Sequence, residues 1–319
     1  MTLDIVEESK KMSRYFVIGG GGFIGKSLCR LLAAKFKADV VAADLDANHL
    51  LELEDLENVE TIQLDICKQD SVKEAFNKVR PHKVIHLAAL MGLRECAAAP
   101  ISCLDVNILG LQYVLDACEE FKVEQVLYGS SSNVYGRQKP PLHEELDPAP
   151  VNAYYPLCKY FGEKVVRIFY ERTGIPSIIL RIFNVFGPGQ KRDRAVYRLI
   201  ESVYGNEAVA LFGEESASRD YLHVRDCARA IALATECECD HEIVNVGSGK
   251  STTAKQLASM IGQKLGKDPI YELHPPRAHD VFSTRADLTK AKDLLGFEPE
   301  LTLEQGIDQF LDWYLAQKG

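Results

Sequence analysis

Short apolar runs alternate with amphipathic stretches along the first 184 residues of the chain. Residues 14–19 (RYFVIG) read as a buried strand and 23–36 as an amphipathic helix. Residues 39–43 and 60–64 are two further strands, followed by a helix over 71–79 and a strand over 83–88. A long helix spans 100–121, with Leu104, Ile108, Leu111, Leu115 and Cys118 on one face. Residues 124–130 form a fifth strand, and 177–183 a sixth after another helix. Strands that alternate with helices pair in parallel through right-handed crossovers, so the pattern predicts an α/β fold with a Rossmann-like doubly wound parallel sheet.

The alternation breaks down after Asn184. Gly/Pro-rich loops take over, with amphipathic helices at 253–265 and 303–316. The expected organisation is a dinucleotide-binding domain over 13–184 that returns around 220–246. Residues 185–219 and 247–319 then make a smaller C-terminal substrate-binding domain. Ligands of such sheets bind outside the carboxyl ends of the strands.

Composition narrows the field. The 319 residues are 46% hydrophobic and 26% charged, with a formal net charge of −9, which disfavours nucleic acid or an anionic membrane as partner. No apolar run approaches the ~20 residues that span a bilayer. The opening MTLDIVEESKKMSRYF is charged and lacks an apolar signal core. Nine cysteines, odd in number and scattered through apolar segments, read as free thiols of a reducing, cytoplasmic compartment. Cys237 and Cys239 form one C-x-C without a second pair, so no metal site is expected.

The turn after the first strand carries Gly20-x-Gly22-x-x-Gly25, extended by Gly19. In a dinucleotide fingerprint these glycines allow a tight turn, approach of backbone to pyrophosphate, and close packing of helix on strand. The helix N-terminus then offers free N–H groups to the phosphates. Asp44 ends the next strand, 19 residues beyond Gly25, where a carboxylate can accept both ribose hydroxyls. It would repel a 2′-phosphate, and neither arginine nor lysine follows in LDANHLLELED, so NAD is favoured over NADP. Asp65 either meets the adenine or simply forms a turn.

Tyr155 and Lys159 open a helix at i, i+4 spacing, which places phenol and ammonium on one face. A phenol of pKa ~10 is a poor base at neutral pH, and neighbouring positive charge, from the lysine and an oxidised nicotinamide, lowers it. Tyr154 has no lysine four residues on. The strand end Ser130-Ser131-Ser132 offers hydroxyls to a carbonyl oxygen, although a serine run is equally a polar loop.

With these residues in order, the chain resembles the extended short-chain dehydrogenase/reductases of the NAD-dependent epimerase/dehydratase type. The series is GGGGFIG (19–25), HLAA (86–89), VNILG (106–110), SSSNVYG (130–136), YPLCK (155–159), RIFNVFGPGQ (181–190), RDYLHV (219–224), NVGSG (245–249), PPRAHD (275–280) and LLGFEPELTLEQGI (294–307). The resemblance implies Tyr155 as acid/base, Lys159 lowering its pKa and holding the nicotinamide ribose, and Ser131 bonding the reacting oxygen. Asn107 supports the lysine through water. The cofactor would lie on Gly19, Gly22, Phe23, Ile24, Gly25, Asp44, Asp65, Ile66, Leu87, Ala88 and Ala89, besides Asn107, Tyr155 and Lys159. Asn184, Arg219 and Arg277 fall where relatives grip a nucleotide diphosphate, a task suited to arginine. Arg94 and Ser132 would face the sugar, although Arg94 equally suits a salt bridge with a nearby acid.

Relatives that eliminate water carry an acid pair after the catalytic residue; here Ser132 and Asn133 stand there. Decarboxylases usually carry a glutamate before V-Y-G, which is also missing. The resemblance therefore implies a nucleotide-sugar epimerase acting at C4 through a transient 4-keto sugar. The alternative is an NAD-dependent sugar or uronate dehydrogenase, or a dehydratase, of the same family. The helices around 100–121 and 153–172 resemble those that pair in family homodimers. Lys191, Arg192, Arg194 and Arg198 either line the sugar-nucleotide entrance or form a solvated face. His86 reads as a core histidine, and His279 replaces the glycine usual in PPRxGD.

Overall fold

A computed structural model describes residues 13–36, 38–147, 152–213, 217–275 and 283–318. Strands β1 (Arg14–Ile18), β2 (Asp39–Asp44), β3 (Val59–Gln63), β4 (Lys83–His86), β5 (Gln125–Ser131) and β6 (Ser177–Ile182) are joined by β10 (His241–Val246). They form one seven-stranded sheet of order β10-β6-β5-β4-β1-β2-β3. Every pairing in it is parallel, as in a doubly wound sheet whose strand order reverses beside β1.

Alternate residues of each strand enter opposite layers. Tyr15 and Val17 pack on Leu28 and Leu32 of helix α1 (Phe23–Lys35) and Ile231 of α8 (Val224–Ala234). Phe16 and Ile18 face the other layer, with Phe76 of α2 (Gln69–Val79), Leu111 and Leu115 of α5 (Gly110–Glu120) and Val166 of α6 (Tyr154–Thr173). Burial of each such side chain stabilises by about 1.5–3 kcal/mol. The predicted strands of the first 184 residues form within a few residues at their ends, and so do the helices other than that over 100–121.

One predicted element differs. The single helix expected over 100–121 begins as α4 (Pro100–Leu104), passes through a π-turn at Asp105–Leu109, and continues as α5. Such single π-turns recur at functional sites, and this one carries Asn107 into the interior. The whole run Pro100–Glu120 is, by length and composition, long and apolar enough to cross a membrane. That corrects the expectation that no run reaches such a length. Its Leu111, Val114, Leu115 and Cys118 are fully buried on the sheet, and a core helix meets the same criterion.

Residues beyond 184 are more regular than the sequence pattern suggested. Strands β7 (Asn184–Phe186), β9 (Ser218–His223) and β11 (Ser251–Thr253) form a small sheet, and β8 (Ala208–Phe212) pairs with β12 (Ile270–His274). Helices α7 (Ala195–Gly205), α9 (Ala254–Leu265) and α11 (Leu303–Ala316) close a second core around Tyr197, Ile200, Ile261, Phe310 and Tyr314. The short α10 (Thr289–Leu295) packs back on β10 and α8. Pairing of β8 with β12 spans some sixty residues of chain, which no local periodicity reveals.

Between β5, β6 and α6 lies a buried ion pair. Arg181 Nη2 and Nε donate to the two oxygens of Glu163 at 2.9 and 3.0 Å, and Ser130 Oγ donates to the same carboxylate at 2.5 Å. The guanidinium lies over Tyr135, 4.7 Å from the ring centre. Removing one partner leaves the other charge unpaired in the interior, which costs about 3–5 kcal/mol. Arg181→Met should therefore lower stability by about that amount in urea unfolding, with part recovered when Glu163→Gln is added; an unchanged midpoint would contradict the account.

Candidate active site

The glycine turn sits where the fold requires closeness. A Cβ on Gly25 would lie 2.2 Å from the carbonyl oxygen of Gly19, and one on Gly19 (φ +89°) would lie 2.6 Å from the backbone nitrogen of Ala88. The amides of Leu87 and Ala88 donate to Ile18, at 2.8 and 2.9 Å, which docks segment 86–89 against the turn. Gly22 caps α1 without a side-chain bond, so the first N–H groups of that helix open outward beside Phe23 and Ile24. The carboxylate of Asp44 lies alongside, 3.0 Å from where a Gly21 Cβ would be. This combination of open backbone donors, a floor without side chains and a neighbouring carboxylate fits the pyrophosphate and ribose of a dinucleotide.

Asp44 has further partners that the sequence pattern did not point to: His49 Nδ1 and the Asp46 amide, each 3.3 Å from its Oδ1. Asp65 accepts from the Cys67 amide at 3.0 Å and pairs with Lys68 at 3.3 Å. Ile66 is buried against Gly110, whose Cβ would come within 2.9 Å of it.

Ser131, Tyr155 and Lys159 come together at the carboxyl end of β5. Ser131 and Tyr155 are each 7% exposed, Ser131 lies near enough to pull the Tyr155 phenol down, and Ser131 Oγ accepts from the Asn133 amide at 3.2 Å. Lys159 is buried. Its Nζ donates to the Gly129 carbonyl at 2.7 Å and stands 4.8 Å above the Tyr128 ring. Gly162 makes that approach feasible, because a Cβ there would lie 2.3 Å from the Tyr128 hydroxyl. His86 stacks behind Tyr128 and is held neutral by burial and by Lys159, its pKa pushed down to about 3; it is a core histidine.

Burial pushes the Tyr155 phenol up to about 12, against the pull of Ser131 and of the charge of Arg194. Lys159 itself is pushed down to about 8 by burial, against the pull of Cys158 and Glu163. Arg194 stands at the start of α7 and pairs across the cleft with Glu95 of α3 (Leu93–Ala98) at 3.7 Å. Sequence reasoning had grouped it with Lys191, Arg192 and Arg198, of which all three are exposed while Arg194 is half-buried.

Asn107 donates to the Leu90 carbonyl at 3.0 Å and to Cys103 Sγ at 3.3 Å, while its Oδ1 is buried with no partner among the described residues. Ser132 is buried, Arg94 is exposed, Asn184 opens β7, and Arg219 on β9 donates to the Ser218 carbonyl at 3.0 Å. Arg277 and His279 lie outside the described residues. The cysteine reading needs correction: Cys96 and Cys103 form a disulfide, and the remaining seven are free. The bond joins α3 to α4, two short helices with no spacing motif to mark the pairing. Glu163 and Arg181 were also missed, although a glutamate at i+4 from Lys159 on a buried helix face calls for a buried cation.

Residues 15–247 match the family described as NAD dependent epimerase/dehydratase. The chain belongs to that family. A curated relative, UDP-glucuronate 4-epimerase of Thermodesulfobacterium geofontis, is 30% identical over 95% of this chain and 96% of its own length. Among solved structures, UDP-glucose 4-epimerase of Thermotoga maritima with UDP-glucose is 29% identical at a TM-score of 0.88, covering 96% of this chain and all of that one. UDP-glucuronic acid 4-epimerase of Bacillus cereus, in complex with UDP-glucuronic acid and NAD, is 28% identical at a TM-score of 0.88, covering 95% and 99%.

The lysine gives a pH signature. Its folded pKa of about 8 lies below the free value of 10.5, so between them the unfolded chain binds more protons and stability rises with pH. The buried thiols, whose pKa values burial raises, lose stability over the same window, so the lysine is read as a difference: relative to Lys159→Met, the cofactor-free wild type should gain thermal stability from pH 8 towards 10. A difference between the two proteins that is level or falls over this window would refute it.

Proposed function

We propose that the protein is an NAD-dependent nucleotide-sugar epimerase that inverts C4 through a transient 4-keto sugar. The observation that carries this reading is the convergence of Ser131, Tyr155 and Lys159 at the end of β5, followed by the neutral Ser132 and Asn133. Bound NAD supplies a hydride acceptor that also serves as the donor for return. The glycine turn, Asp44 and segment 86–89 would hold it.

The chain's own work is proton handling and orientation. Ser131 Oγ and Tyr155 Oη both face the reacting hydroxyl. Tyr155 takes its proton as the carbonyl forms and gives it back when the carbonyl is reduced. Because burial disfavours the phenolate, cationic neighbours have to favour it, and Arg194 supplies one such charge. Elimination of water would need a carboxylic acid beside the ketone; Ser132 and Asn133 provide none. The keto sugar is left to turn and be reduced on its other face. Asn184 and Arg219, with Arg277, would grip the diphosphate, and Arg94 would meet the sugar.

Two further assignments belong to this reading. Ile101, Leu104, Leu157, Phe161 and Ile168 are exposed on α4 and α6, which lie side by side; this apolar face supports a homodimer. The seven free cysteines support a cytoplasmic enzyme, in keeping with their rarity as disulfides there. Light scattering should return twice the chain mass of 35.6 kDa, and a concentration-independent monomer would remove the dimer.

The reaction is tested with UDP-, GDP- and dTDP-sugars and NAD, read by mass spectrometry and NADH absorbance. Epimerisation predicts a product of unchanged mass and shifted retention from a UDP-sugar, with no accumulating NADH. Loss of water or a stoichiometric build-up of NADH would contradict it. Tyr155→Phe should lower turnover by roughly 100-fold or more, the usual contribution of a positioned acid/base.

A further inference from the structure

Three sulfurs cluster directly behind the site. The Cys96–Cys103 disulfide joins α3 to α4 with Cα atoms 5.1 Å apart, and Cys103 Sγ lies 3.9 Å from Cys158 Sγ. All three residues are buried, in one apolar cluster with Tyr155, Leu90 and Leu93. Cys158 sits on α6 immediately before Lys159 and three residues after Tyr155. On the other side, Asn107 donates to Cys103 Sγ at 3.3 Å. The short helix that the bond pins carries Arg94 and Glu95, and Glu95 reaches across to Arg194.

We propose that Cys96 and Cys103 form a redox-modifiable site, a reversible covalent lock on the loop carrying Arg94 and Glu95, taking thiols and disulfides as its co-reactants. This rests on the reading above in assigning that segment to the sugar and the enzyme to a thiol-rich compartment. A disulfide in a compartment rich in free thiols is typically transient and redox-sensing. Cys96 and Cys103 are buried, so exchange proceeds when α3 opens locally: a thiolate of a dithiol reductant then attacks one sulfur of the bond, forming a mixed disulfide and releasing the other cysteine as a thiol. The reductant's second thiol then closes its own disulfide and frees the remaining cysteine. Two electrons pass to the protein, two protons complete its thiols, and glutathione disulfide reverses the exchange.

Two thiols cannot occupy the separation of a bonded pair in a close-packed interior. Reduction therefore displaces α3 from α4, loosening the Glu95–Arg194 contact on one side and pressing Cys103 against Cys158 on the other. The consequence falls on sugar binding, while the glycine turn and Asp44 lie outside the cluster.

The test compares the full-length protein equilibrated with glutathione disulfide or with dithiothreitol. Alkylation under denaturing conditions and peptide mapping should find Cys96 and Cys103 blocked in the first and labelled in the second. Amide exchange over 93–104 should rise on reduction, a readout that survives even if the protein epimerises nothing. The KM for the UDP-sugar should rise about fivefold or more, the lower end of site coupling. Cys96→Ser/Cys103→Ser should show the reduced behaviour in both buffers, and Cys237→Ser should respond as wild type. Labelling of both cysteines under oxidising conditions would overturn the proposal. So would unaltered exchange and KM on reduction, or a redox response that persists in the double variant.

Discussion

The active-site arrangement depends on one buried carboxylate. Glu163 lies on the inner face of α6, where it binds Arg181 of β6 through both oxygens and accepts Ser130 of β5. Three elements that contribute the candidate chemistry, or stand beside it, are thereby fixed to one another. One turn before Glu163 on the same face comes Lys159, and one turn before that Tyr155. A helix can carry two charged residues into a protein interior only when each finds a partner. Glu163 has Arg181; Lys159 has the Gly129 carbonyl and the Tyr128 ring. Gly162, between them, lets the helix lie close enough to the strand for these bonds to form.

That geometry explains the pKa pattern. The same packing that orders Tyr155 and Lys159 removes them from water, so the phenol is pushed up and the ammonium down. In the proposed reaction Tyr155 yields its proton and needs positive charge nearby; Arg194, paired with Glu95, supplies such a charge. Proton affinity at the reacting oxygen is thus tied to how the second, C-terminal core packs over the sheet.

The first half of the fold was legible because its information is local. Each strand is an apolar run, each helix has its own period, and Gly19, Gly22 and Gly25 announce the turn by spacing alone. The placing of Tyr155 and Lys159 on one face of α6 was legible for the same reason. What escaped depends on contacts between distant segments. Strand β8 waits for β12, and Cys96 meets Cys103 only because the chain bends at Ala99 between two short helices. The π-turn at Asp105–Leu109 was invisible because an unbroken helix would put Leu104 in line with Leu111 and Leu115; instead Cys103 and Asn107 are buried and Leu104 is exposed. Arg194 carried no signal separating it from the exposed cations around it. Arg277 was singled out by its motif but falls outside the described residues, so its place in the site rests on the motif.

The central claim is that one hydride leaves C4 of the sugar and returns to the same carbon, with Tyr155 moving the accompanying proton. It is tested most directly with a UDP-sugar deuterated at C4, incubated with the protein and NAD in ordinary water. The account predicts that the C4 epimer forms with its deuterium retained at C4 and no gain or loss of mass. Product carrying solvent hydrogen at C4, or deuterium recovered in free reduced nicotinamide, would contradict it.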